Sequence, residues 1–170
     1  MKEGKMGRLG VYMMIDDNTL DGMMKLDGDG LFEKVNELEE INEKYTIDKL
    51  WDGLHFLLTG VSASAPIDGN KLSEAIVGVH VFDANDDDFI ACIENDELPE
   101  IIKSLQNVNI KELEEGFNPK AFKRNKIYPD IWEENKKDEL FKQLINEYDG
   151  LSKFYQEALE KNKHIIFSVI

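Results

Sequence analysis

Only one cysteine, Cys92, stands in the 170 residues, so no internal disulfide can form. It lies in the apolar run Phe89-Ile90-Ala91-Cys92-Ile93, where a reduced, buried thiol is the default. With three histidines besides, the chain has no Cys/His cluster of the kind that holds zinc. A phosphate-cradling glycine loop and a Gly-x-Ser-x-Gly elbow are missing too, which removes the common nucleotide-binding and acyl-transfer signatures. No stretch approaches the length of a membrane span. Lys2 and Lys5 ahead of the apolar residues 9–15 imitate a signal peptide, but the run is short, lacks a small-residue cleavage site and ends in Asp16-Asp17. A first β-strand is the better reading, and Met6-Gly7 reads as the original start with residues 1–5 an extension. Basic residues are scarce as well: 20 against 35 acidic, a net charge of −15. Phosphate binding needs lysine and arginine, so nucleic acid and anionic membranes are excluded as partners.

What remains is an acidic chain long enough for one domain with a core of its own. The acids cluster at 83–88, 94–100, 112–115 and 133–134. Such a surface suits solubility, and it would also attract a basic protein. The expected location is the cytoplasm. The sequence calls for no cofactor and sets no oligomeric state.

Residues 9–15 read as strand one. Asp16, Asp17 and Asn18 start a helix in which Leu20, Met23 and Met24 recur at helical spacing. Residues 31–44 form a second helix, with Leu31, Val35, Leu38 and Ile41 on one face. A third begins near Asp48, a good N-cap, and ends at Gly60. A loop around Pro66 follows, then a turn of helix at 72–76. Strands are expected at 77–82 and 89–93, joined by an acidic loop. Helices follow at 97–105, at 110–116 and after Asn118-Pro119, with proline at the first helical position. Tyr128-Pro129 is extended. A helical pattern covers 130–162 with a break at Gly150, and residues 165–170 are a terminal strand. The expectation is one α+β domain over 1–170: a small mixed or antiparallel sheet of about four strands packed against about seven helical segments.

The densest segment for chemistry runs Asp48-Lys49-Leu50-Trp51-Asp52-Gly53-Leu54-His55-Phe56-Leu57-Leu58-Thr59-Gly60. On a helix, Asp52 and His55 are neighbours at i and i+3, the arrangement by which a carboxylate orients an imidazole for general-base work. The structural reading is that Trp51, Leu54 and Leu58 form a core stripe while Asp52 and His55 make fixed hydrogen bonds at its edge. That reading takes precedence, because an acid and a histidine without a nucleophile are half a mechanism. Tyr128, Pro129 and Trp132 could add an aromatic wall, although aromatic residues serve the core more often.

This motif, together with Met6-Gly7-Arg8-Leu9-Gly10-Val11-Tyr12, resembles the YfbM-like family of bacterial proteins. Leu72-Ser73-Glu74-Ala75-Ile76-Val77-Gly78, His80 and Ile127-Tyr128-Pro129 extend the likeness in the same order from Met6 over nearly the whole chain. The resemblance implies a compact α+β fold. The family is a domain of unknown function, so it implies no activity and brings no catalytic residues.

A calcium loop can be tested at 83–94. An EF-hand wants oxygen ligands at positions 1, 3, 5 and 12, and Asp83, Asn85, Asp87 and Glu94 supply them. The sixth position is Asp88 where the turn requires glycine, and the flanks read as strands where helices are needed. A solvated hairpin loop is the better account.

Two main readings therefore stand, the first of them leading. One is a non-enzymatic, inhibitor- or immunity-like module whose acidic surface docks on a basic protein. The other is a small-molecule enzyme or ligand-binding protein with its site near Trp51, Asp52 and His55. A flat acidic face favours the first, and a deep pocket lined by Asp52 and His55 favours the second.

Overall fold

The computed structural model describes residues 8–84 and 88–170. The start at Met6-Gly7 and two of the loop ligands, Asn85 and Asp87, lie outside the described residues.

Five strands form one antiparallel sheet: β1 (Gly10–Ile15), β2 (Lys44–Asp48), β3 (His80–Ala84), β4 (Phe89–Ile93) and β5 (His164–Val169), in the order β2-β1-β5-β4-β3. The first and last strands are neighbours at its centre, with Gly10 opposite Val169 and Ile15 opposite His164. Side chains alternate between the faces. Tyr12, Met14, Ile165 and Phe167 enter one core, while Met13, Ile15, Ile90, Cys92 and Ile166 enter the other. The second face is covered by α1 (Asp17–Met23) and α2 (Gly28–Glu39) through Leu20, Met23, Leu31, Val35 and Leu38. Burial on both sides is why β1 and β5 read as largely apolar runs, β5 interrupted only by Ser168 after His164.

The first face carries the larger core, built by α3 (Trp51–Thr59), α4 (Lys71–Val77), α5 (Leu98–Gln106) and α8 (Lys137–Glu160). Two short helices, α6 (Ile110–Gly116) and α7 (Pro119–Arg124), bridge α5 and α8 in sequence and pack through Leu113, Phe117 and Phe122. Three tyrosines reach carbonyl groups that helix ends leave without an intrahelical partner. Tyr12 and Tyr155 hydroxyls donate to Ile76 and Ala75 of α4, each at 2.5 Å, and the Tyr148 hydroxyl donates to Leu105 of α5. The α4 carbonyls thus end on phenols from a strand and from the longest helix.

The structure departs from the sequence reading at five places. The second helix ends at Glu39, and Ile41 beyond it is exposed and outside the buried face. Residues 44–48 form a strand, the fifth, where the sequence pattern points to helix ends. Only Ile47 of β2 is buried, so this edge strand has one inward residue and almost no alternation to read. Asp48 accordingly ends β2 at φ 61°, opposite Gly10, and does not cap α3. Val77 belongs to α4, and β3 starts only at His80. Residues 130–136 hold just a 3-10 turn, Glu134–Lys136, and the Tyr128–Pro129 peptide ahead of them is cis. Finally, α8 runs through Gly150 without a break. A Cβ there would lie 2.4 Å from the Tyr45 hydroxyl, so this glycine admits the Tyr45 ring against the helix. That hydroxyl donates to Glu147 Oε1 at 2.5 Å, and burial holds both the phenol and the carboxyl above their usual pKa values.

Candidate functional site

A cavity of about 710 Å³ opens at the end of the sheet where β1 begins, β4 begins and β5 ends. Phe167 and Val169 of β5 and Phe89 of β4 form its floor, the exposed Val81 of β3 stands at its edge, and the first turn of α3 supplies Trp51 and Asp52. The loop after α3 contributes Ser62, Ala63 and Ser64, while Arg8, Lys126 and Tyr128 complete the wall.

Trp51 is 8% exposed and is at once core and wall. Its indole N–H donates to the Arg8 carbonyl at 3.2 Å, and the Tyr128 ring lies 5.5 Å away, tilted by 32°. The Arg8 guanidinium sits 5.3 Å from the Trp51 ring centroid, within reach of a cation–π attraction. The Arg8 amide donates to the Tyr128 hydroxyl at 3.1 Å. Both backbone groups of Arg8 are thereby fixed by the two aromatic residues of the wall.

Asp52 holds three segments together. Its Oδ1 accepts from the Ser62 hydroxyl at 2.9 Å and the Ala63 amide at 2.7 Å, and its Oδ2 accepts from the Tyr128 amide at 2.9 Å. Three of a carboxylate's roughly four acceptor positions are therefore engaged. The next residue, Gly53, is needed for close approach: a Cβ would lie 2.6 Å from the Trp132 ring.

His55 faces the other way. Its Nδ1–H donates to the Val61 carbonyl at 2.8 Å, which leaves Nε2 to accept from the Ser73 hydroxyl at 2.7 Å. Ser73 Oγ in turn accepts from the Ile67 amide at 3.0 Å. Both side chains are closed off from solvent, and burial lowers the His55 pKa. No hydrogen bond joins Asp52 to His55 among the described residues. The i, i+3 spacing is present, yet Asp52 turns to the cavity and His55 to the loop behind it.

Trp132 is 1% exposed and packs on Phe122 at 4.6 Å, with its N–H donating to the Ile127 carbonyl at 2.8 Å. It sits under α3 and does not line the cavity, whereas Tyr128 does. Arg8, Lys126 and the Ser62–Ser64 pair were not singled out from sequence as site residues. Lys126 carries one signal in its backbone. It follows α7 at φ 55°, where glycine or asparagine is usual, while its amide donates to Lys123 and the next amide to Phe122.

The 83–94 segment has strands on both sides, as expected of a hairpin. Glu94 looks elsewhere. It forms a capping box with Glu97, and both carboxylates approach His80 Nε2, Glu97 at 2.9 Å and Glu94 at 3.5 Å. One ligand atom from each of these three lies within 4.8 Å of the others, at the surface. The capping box and the histidine account for these contacts as an ion-pair cluster. No helix among the described residues is long and apolar enough to cross a membrane.

Comparison with known proteins agrees with this architecture. The curated Protein YfbM of Escherichia coli (strain K12) is 28% identical over 166 residues, which span 97% of this chain and 99% of that protein. A crystal structure described as a protein of unknown function, YfbM from Escherichia coli, superimposes with a TM-score of 0.84 at 27% identity, covering 95% of this chain and 99% of that one. The family model for a domain of unknown function, DUF1877, matches residues 6–168, and the chain belongs to that family.

Proposed function

We propose that this is a small-molecule-binding protein of the bacterial cytoplasm, with its ligand held between Trp51, Tyr128 and the loop of Ser62 and Ser64. The observation that carries the reading is the cavity itself: about 710 Å³, apolar on its floor, with a few polar groups at its rim. Ligand sites are typically of that size and composition. Binding is favoured over catalysis because the acidic group at the cavity, Asp52, is engaged in holding the walls, and the histidine lies behind them. A buried thiol at Cys92, its pKa pushed up to about 12 by burial, suits a reducing compartment.

The test is a thermal-shift screen of metabolites on the wild type and on Val81→Trp, which places an indole in the cavity from an exposed wall position. A ligand present at one hundred times its Kd adds about 2.7 kcal/mol, a rise of roughly 5–10 °C for a chain of this size. Loss of that rise in Val81→Trp supports the reading; a panel without stabilising compounds opposes it. The net charge of −15 supports a second reading, docking on a basic protein. It would be favoured by a single basic protein captured at low salt and released by charge reversal at Glu112, Glu114 and Glu115.

A further inference from the structure

We infer that the ligand is a planar, apolar monocarboxylate, its carboxylate received by Arg8 and Lys126 and its body laid against Trp51 and Tyr128; this rests on the pocket reading above. In a chain with 35 acidic and 20 basic residues, the cavity reverses the balance. Among the described residues its charged lining is Arg8, Lys126 and Asp52, two cations to one anion. Asp52 keeps its charge but turns both oxygens to the Ser62, Ala63 and Tyr128 donors, so the two cations are the groups left to receive an occupant's charge.

Three further observations converge on Arg8. Its backbone is fixed on both sides by the wall, through the Tyr128 hydroxyl and the Trp51 indole. Its guanidinium lies 5.3 Å from the centroid of the Trp51 ring, so the cation stands beside the aromatic wall. Its Nε is buried and has no hydrogen-bond partner among the described residues, and a buried donor needs an acceptor. A carboxylate satisfies a guanidinium fork through two parallel bonds.

Lys126 contributes the second charge from a backbone position where a side chain is unfavourable. Its φ of 55° is one that glycine adopts without penalty, and an exposed lysine there lines the cavity. Two cations against one engaged carboxylate leave a surplus of one positive charge. That matches a monoanion, while a phosphate dianion would add uncompensated negative charge to an already acidic molecule. The aromatic and branched floor of Phe89, Phe167 and Val169 fits an apolar body.

The experiment is calorimetric titration of the full chain with three probes of one ring system: 2-naphthoate, 2-naphthalenemethanol and 2-naphthyl phosphate. The expected result is that 2-naphthoate binds at least tenfold more tightly than the alcohol and more tightly than the phosphate. Its affinity should fall as salt rises, and the alcohol's should not. Arg8→Met should abolish the preference for the carboxylate over the alcohol. Lys126→Gly should reduce the preference severalfold and melt no lower than the wild type, because glycine suits its backbone. Equal affinities for all three probes, or a preference for the alcohol or the phosphate, would overturn the inference and leave the pocket reading standing. Binding of none of them would overturn both.

Discussion

Replacing Asp52 by asparagine separates a carboxylate that holds walls together from one that performs chemistry. The substitution keeps shape and volume and removes only the charge and one acceptor oxygen. In its better orientation the amide oxygen keeps the Ser62 hydroxyl and the Ala63 amide, and the new NH₂ is turned to the Tyr128 amide, donor against donor. A hydrogen bond to a charged group contributes about 1.5–3 kcal/mol net, and a buried donor left without an acceptor costs about 1–3 kcal/mol. Asp52 is 5% exposed, so water offers little relief. The remaining two bonds weaken as they lose charge assistance. The sum is a destabilisation of about 3 kcal/mol, equivalent to a fall in Tm of roughly 6–12 °C for a domain of this size. Urea melts followed by tryptophan emission give the free energy directly, with an unchanged slope against denaturant expected if the native state stays compact. Ser62→Ala should cost less in the Asp52→Asn background than in the wild type, since the two groups share one bond. A loss below about 0.5 kcal/mol for Asp52→Asn would refute the reasoning, because the three bonds could not then be holding the cavity walls.

Gly53→Ala should destabilise by about 1–3 kcal/mol in the same melts, since the added methyl meets the Trp132 ring at 2.6 Å and overpacks a filled core; a neutral result would mean that Trp132 moves freely. His55 gives a pH signature. Its folded pKa lies below the ordinary value of about 6.5, so the unfolded chain takes up a proton that the folded one refuses. Stability should therefore decline as pH falls below about 6.5, the loss levelling off only below the folded pKa. The decline between pH 7 and 5 should shrink in His55→Gln, and an undiminished slope would place the titrating group elsewhere.

Much of the fold was legible because its signals are local. Asn118 followed by Pro119 marks the start of α7, and the asparagine does accept from the Lys120 amide at 3.1 Å. The limits of α6 and of β4 were readable as well, the second from a short apolar run. β2 was not legible, because an edge strand with one inward side chain has no alternation to show. Gly150 misled because a glycine in a helix reads as a break, when here it is room for Tyr45. The site divided along the same line. Trp51, Asp52 and Tyr128 were singled out and do meet at the cavity. Arg8, Lys126 and the β5 residues were not, since segments far apart in the chain share no motif until the sheet brings them together. His55 was placed correctly on its helix, but which way its ring turns depends on Ser73 and Val61, which no spacing rule supplies.

The pairing of β1 with β5 has a practical reach beyond the sheet. Gly10 and Val169 lie side by side at the cavity end of the sheet, and Val169 lines the cavity, so a group joined close behind β5 starts at its entrance. An affinity tag or fusion partner there competes for that space, and a screening failure with such a preparation carries little weight. The same proximity makes the molecule suited to circular permutation. A short glycine-rich linker from β5 to β1 would turn the central pair into a hairpin, and new ends could be cut in the exposed turn at 24–27 between α1 and α2. Such a permutant would carry its handles on the other face of the sheet and present the cavity with its sheet-side rim closed by a defined turn.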